Sequence, residues 1–310
     1  MITSIFSKSR PINYILITVL MITCFSIYQF STNYNTISNL EIGLKVVFLL
    51  MLIGSLFITN FITKKNGLSK DNSYTFLLFC IFFILFPTTL SNGNLILSNA
   101  FILLALRRLI SLQSLITPKE KIFDASLWIF IASLFHFWSI IFILLVFISI
   151  IFHVSRDYRN WIIPFIALAA VAVITVLLSL IFDIGFLSKY IHSTGIDIDL
   201  AYIENVFQSF SLGVYILTSV VAFVTMLFIL TNKPLNLQAS YKKVIFAFIL
   251  GLIVFFISPN KENSYLIFTF VPVAIMLTNY LETIEKYWIK ESILGILFLS
   301  SLINYILRLL

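Results

Sequence analysis

The chain has 310 residues, of which 60% are hydrophobic and only 11% charged, and its formal net charge is +7. A soluble protein draws about a quarter of its residues from Asp, Glu, Lys and Arg, so the composition excludes a pair of water-soluble domains. The 20 Lys and Arg stand in short clusters between long apolar runs, where they meet anionic headgroups and set orientation, which excludes a nucleic-acid face.

Uncharged or nearly uncharged apolar runs fall at 11–30, 42–62, 74–90, 95–110, 123–152, 161–182, 212–231, 244–258, 265–281 and 292–307. Most are long enough to cross ~30 Å of hydrocarbon as helices, and mean hydropathy is +1.07. The expected fold is all-α: a polytopic transmembrane helix bundle of about 10–11 membrane segments, with residues 1–310 forming a single integral membrane domain. Lys8 and Arg10 precede the first run as in a secretory signal. Its length and the lack of a small-x-small cleavage site make it an uncleaved first span, with Pro11 at the first helical position. Cys24 and Cys80 lie inside apolar runs, with no CxxC and no nearby His, and read as inert packing residues. Pro87 and Pro272 are expected to kink or end their spans, and Pro164 to sit just inside the start of its own.

The run 123–152 is too long for one simple span, since a helix of that length would extend ~45 Å. Either it crosses once, or it enters and returns as two half-helices meeting near His136-Phe137-Trp138-Ser139. Charge counting separates the two. A return leaves sixteen Lys and Arg on the starting side, with Lys189, Lys261 and Arg308 beyond and Lys45 within a span; a single crossing gives twelve against seven. Short basic loops resist translocation, so the hairpin is the expected form. The N-terminus is then cytoplasmic, and the setting is a bacterial inner membrane. The far side receives a long loop, 183–211, in which Ile196, Leu200, Ile203, Phe207 and Phe210 recur at helical spacing. This predicts an outer amphipathic helix near 198–210.

Site candidates are few. His136 stands in an apolar run, where an ionisable group normally faces a cavity or a partner. A neutral imidazole there can act as base or phosphate ligand, or it can simply bond a carbonyl exposed by the turn. Asp197 and Asp199 alternate as a carboxylate pair that suits a cation shared with a diphosphate, or a helix cap. Glu41 and Lys45 are spaced as a helical ion pair, and Glu41 is also a candidate catalytic acid. Lys261, Glu262 and Tyr265 form a second outer cluster that can share a cavity with Asn92 and Asn94, as substrate-binding groups or as a plain polar turn. Arg107, Arg108, Lys64 and Lys65 read as topology anchors, and Arg156, Asp157 and Arg159 as a solvated cluster or a partner contact. No Ser-His-Asp arrangement, P-loop or HExxH is present, no metal site is predicted, and the sequence specifies no cofactor.

Two resemblances follow from particular residues. The opening Met1–Lys8 with Pro11-Ile12-Asn13-Tyr14, and the stretch Lys121–Ser126, resemble an uncharacterised family of multi-spanning membrane proteins from flavobacteria and their relatives. The turn Lys261–Tyr265 followed by Pro272 is similar to a late span of membrane glycosyltransferases and polymerases that use polyprenyl-linked sugars. Those enzymes usually carry an acidic pair in the first outer loop, where this chain has only Glu41, and the polymerases tend to have outer arginines, of which Arg308 is the one here. The second resemblance implies handling of a polyprenyl- or lipid-linked saccharide at an outward-facing cavity, with an acid or His136 deprotonating an acceptor and a lysine holding phosphate. The alternative is a non-catalytic membrane subunit that scaffolds an envelope complex. Expected partners are membrane lipids, a lipid-linked saccharide and, for the scaffold, a second membrane protein.

Overall fold

The computed structural model of the chain describes residues 2–32, 39–182, 195–197, 206–259 and 261–309, and these are helical with no strand. In chain order they form α1 (Ile2–Phe6), α2 (Pro11–Thr32), α3 (Asn39–Lys65), α4 (Tyr74–Leu85), α5 (Thr88–Ser91), α6 (Gly93–Ser111) and α7 (Pro118–Phe135). Then follow α8 (Ile143–His153), α9 (Arg159–Phe182), α10 (Val206–Leu230), α11 (Leu235–Ile257), α12 (Ile267–Thr283) and α13 (Tyr287–Leu309). Turns of 3-10 helix occupy Leu112–Ser114, Phe137–Phe142 and Asn263–Leu266. Among the described residues, 8 helices are long and apolar enough to cross a membrane: α2, α3, α6, α9, α10, α11, α12 and α13. The chain is an all-α, multi-pass membrane bundle.

Burial separates inner from outer helices. The most apolar window of α12 is 89% buried, whereas that of α9 is 22% buried and turns its aliphatic side chains outward to lipid. At the centre α12 packs on α4. All 12 residues of α4 are buried; at ~18 Å it is too short to cross a bilayer alone, and being apolar from Phe76 to Leu85 it suits the inside of a bundle. The hydroxyls of Thr75 and Thr278 tie the pair together at 2.9 Å. Because Thr278 donates to Ala274 O, Thr75 is the donor between them. Around them Phe82, Phe83, Phe86 and Tyr215 surround the Phe270 ring at centroid distances of 5.4–5.7 Å, the offset and edge-on separations aromatic pairs favour.

The predicted span 74–90 is broken. Pro87 has no N–H and crowds the residue before it, so Phe86 leaves the helix at φ −120°, ψ 74°. Asn304 Nδ2 donates to Leu85 O at 2.9 Å, satisfying a carbonyl that the end of α4 leaves free. Asn92 then caps α6 by accepting from Leu95 N at 3.4 Å. Pro272, by contrast, is accommodated inside α12, and Pro164 inside α9.

The run 123–152 enters and returns. After α7 the backbone opens at His136 (φ −143°, ψ 108°), and the turn Phe137–Phe142 leads into α8. The two ends of the hairpin meet: Lys119 Nζ, at the start of α7, is 3.2 Å from Asp157 just past α8. Asp157 also accepts from Arg159 N at 3.0 Å, and that N–H first, with Lys119 second, holds its carboxyl below the ordinary carboxylate range. One end of the molecule thereby gathers the basic loops. There Ser73 N donates to Phe6 O, Lys64 pairs with Asp71 at 2.9 Å, and Glu282 accepts from Lys70 N and Asn72 Nδ2.

Lys243 corrects the sequence reading. Expected among loop cations ahead of a span starting at 244, it lies fully buried inside α11, which begins at Leu235. Its ammonium donates to Leu109 O at 2.5 Å and lies 3.3 Å from His153 Nε2, while Lys121 Nζ donates to Ser111 O at 2.8 Å. Both carbonyls belong to the last turn of α6, where positive charge is favoured; Leu109 O also accepts from Leu112 N and Ser111 O from Ser114 Oγ, so each lysine takes a second bond to a carbonyl oxygen. The amphipathic helix expected near 198–210 lies outside the described residues up to 205; residues 206–210 open α10.

Close approach of α11 to α12 depends on Gly251. A Cβ there would stand 2.7 Å from Thr269 Cγ2 and 3.2 Å from the carbonyl carbon and oxygen of Phe268. Backbone cannot rotate away as a side-chain tip can, so Gly251→Ala is expected to destabilise by about 1–3 kcal/mol. A thermal midpoint equal to wild type in the same detergent would contradict this.

Candidate functional site

The end opposite the basic loops carries the sequence candidates, and the hairpin apex organises them. His136 Nε2 lies 3.1 Å from Ser258 Oγ. Ser258 donates its only proton to Val254 O at 2.6 Å, so the imidazole must be the donor to Ser258 through Nε2–H, leaving Nδ1 as the acceptor. The ring lies against Tyr265 and Phe268 at centroid distances of 5.1 and 5.6 Å. The expectation that His136 bonds a carbonyl freed by the turn is therefore corrected: its partner is a hydroxyl at the end of α11, because the aromatic wall of α12 and the 263–266 turn holds the ring there. Two residues on, Trp138 Nε1 donates to Gly195 O at 3.0 Å, and Asp197 N donates to Ile257 O at 3.3 Å. The segment 195–197 is thus tied to the apex on one side and to α11 on the other.

Beside this cluster lies a polar cavity of about 350 Å³, lined by Phe48, Ser91, Asn92, Gly93, Asn94 and Glu262. Its floor is the N-terminal turn of α6, whose first N–H groups have no intrahelical acceptor. A Cβ at Gly93 would lie 2.2 Å from the Phe48 ring, so a side chain there would displace that ring from the cavity wall. Glu262 is exposed and accepts from Ser264 Oγ at 3.1 Å. The next residues form the turn that carries Tyr265 to His136.

A second cavity, about 490 Å³, shares Asn94 with the first as a lining residue. It runs between α7 and α9 and is lined almost wholly by aliphatic and aromatic groups, among them Leu127, Ile131, Leu134, Phe135, Val171 and Ile174. Phe135 on its wall directly precedes His136. Polar and apolar compartments thus have one asparagine in common, with the hairpin apex next in sequence to the apolar wall.

The structure brings together His136, Asp197, Glu262 and Tyr265 at this end of the bundle, though only Glu262 lines the polar cavity. Lys261 is buried and engaged, not displayed to the cavity. Glu41 is exposed in the first turn of α3 and lines neither compartment; Lys45 lines a separate apolar cavity with Phe25 and Gln29. Asp199 lies outside the described residues. Among the described residues no three His, Cys, Asp or Glu converge as a metal site. Sequence reasoning missed Ser258, Phe48 and the whole groove. Nothing distinguishes Leu127, Ile131 and Leu134 from lipid-facing residues until α9 is seen to pack beside α7 with a cavity between them.

Comparison with curated proteins and with solved structures finds no match. A family model described as "Family of unknown function (DUF6427)" matches residues 1–310, and the chain belongs to that family.

Proposed function

We propose that this membrane protein handles an amphiphile with a saccharide head and a long hydrocarbon tail, a lipid-linked saccharide, at the end of the bundle opposite its basic loops. The observation that carries the reading is Asn94, which lines both a polar compartment of about 350 Å³ and an apolar one of about 490 Å³. Two asparagines, a serine and a carboxylate offer hydroxyl groups both donors and acceptors, and the Phe48 ring offers a face for the apolar side of a sugar. The N-terminal turn of α6 favours a phosphate between head and tail. His136, next in sequence to the apolar wall, is a positioning residue in this reading: through Ser258 and Tyr265 it fixes the apex against the turn that bears Glu262. With Lys and Arg concentrated at one end, that end and the N-terminus belong in the cytoplasm of a bacterial inner membrane, and the saccharide site faces outward.

Native mass spectrometry of the protein extracted from its own membrane in mild detergent tests this. The expected result is a retained lipid-linked saccharide. Retention of ordinary phospholipid only, or of none, contradicts it.

A further inference from the structure

A cavity of about 360 Å³ opens at the basic end, between the last turns of α3 and α6, the connector 112–117 and the start of α7. Its wall carries Lys65, Arg107, Arg108 and Lys121. Among the described residues, the only carboxylate salt-bridged to any of the four is Asp124, 2.8 Å from Arg108. Lys121 is buried and its ammonium bonds neutral groups, Ser111 O and Ser114 Oγ. Lys65 and Arg107 both stand over the Phe61 ring, at 5.0 and 4.3 Å from its centroid, which orders two flexible cations beside the opening. Four positive charges against one carboxylate leave an excess of three around this space. Topology anchors need only lie in water or among headgroups; they do not need to converge on a cavity.

The connector shows which anion this space meets. Leu115 and Ile116 are 57% and 67% exposed, and Ile116 is part of the cavity rim. Leu115 and Thr117 are held at positive φ, so the connector keeps a shape that few non-glycine residues adopt. Two bare aliphatic side chains beside a cluster of cations suit the boundary between acyl chains and headgroups, not open water.

We infer that this cavity is a binding site for the phosphodiester of an anionic phospholipid, with Lys65, Arg107 and Lys121 contributing the charge and Arg107 a planar fork for two phosphate oxygens. Free inorganic phosphate shares the chemistry but has no use for the aliphatic rim. The test is titration of the detergent-solubilised full chain with dioctanoyl phosphatidylglycerol, read by native mass spectrometry. Wild type is expected to take up one molecule saturably. Lys65→Gln and Arg107→Gln are each expected to weaken it about fivefold, and roughly 25-fold together. Lys8→Gln with Arg10→Gln, cations of the same end away from the cavity, is expected to leave the affinity unchanged. Unchanged affinity in the Lys65/Arg107 pair, an equal loss in the Lys8/Arg10 pair, or displacement of the lipid by equimolar inorganic phosphate would each overturn the assignment.

Discussion

Phe270→Ala is expected to cost about 3–5 kcal/mol and to leave much of the extracted protein unfolded. Phe270 is fully buried and is ringed by Phe82, Phe83, Phe86 and Tyr215 from α4 and α10. In a bilayer an apolar side chain gains little by hiding from its surroundings, because lipid is as apolar as the bundle; what the ring supplies is contact. Removing it leaves a void where α4, α10 and α12 meet. Tyr215 stays anchored by its 2.6 Å bond to Thr269, so the void cannot close by moving that ring. Phe228, 73% exposed on α10, gives the contrast, and Phe228→Ala is expected to stay within about 0.5 kcal/mol of wild type. Thermal midpoints of both variants in the same detergent decide the matter; equal shifts would contradict the layering of the bundle.

The second large effect is expected at Asn94. It is the residue that belongs to both the polar and the apolar compartment, and Asn94→Leu removes hydrogen-bonding capacity at the point where a head joins a tail. Losing bonds that a desolvated head group requires costs about 1–3 kcal/mol, so retention of the amphiphile is expected to fall about 5- to 150-fold with insertion and thermal midpoint unchanged. The cap of α6 is supplied by Asn92 and remains. Undiminished retention in Asn94→Leu would remove the shared asparagine from the account.

The architecture was legible because hydropathy and charge act over whole segments. The count of Lys and Arg favoured a return at 123–152, and the Lys119–Asp157 contact is the same fact seen at atomic distance. What sequence could not show was convergence. Arg107, Lys65 and Lys121 each have a sufficient local reason to sit at a helix end, and only the fold puts them around one space. Lys243 looked like a loop residue because charge normally marks the edge of a span; a carbonyl in the last turn of α6 with a second lone pair to offer made a buried place for it. Asn94 carries no charge and no motif, so its place in the lining of both compartments follows only from how α6, α7 and α9 pack. Glu41 drew attention as an outer acid, yet its helical position turns it away from both compartments.

The claim that the groove between α7 and α9 holds the hydrocarbon tail is tested most directly by photo-crosslinking in the native membrane. A benzophenone side chain at Ile131 lies on the groove wall, and one at Ile306, 54% exposed on α13, samples bulk lipid. Capture of a saccharide-bearing lipid at Ile131, with ordinary phospholipid at Ile306, is the result this account predicts. The same phospholipids captured at both positions would contradict it.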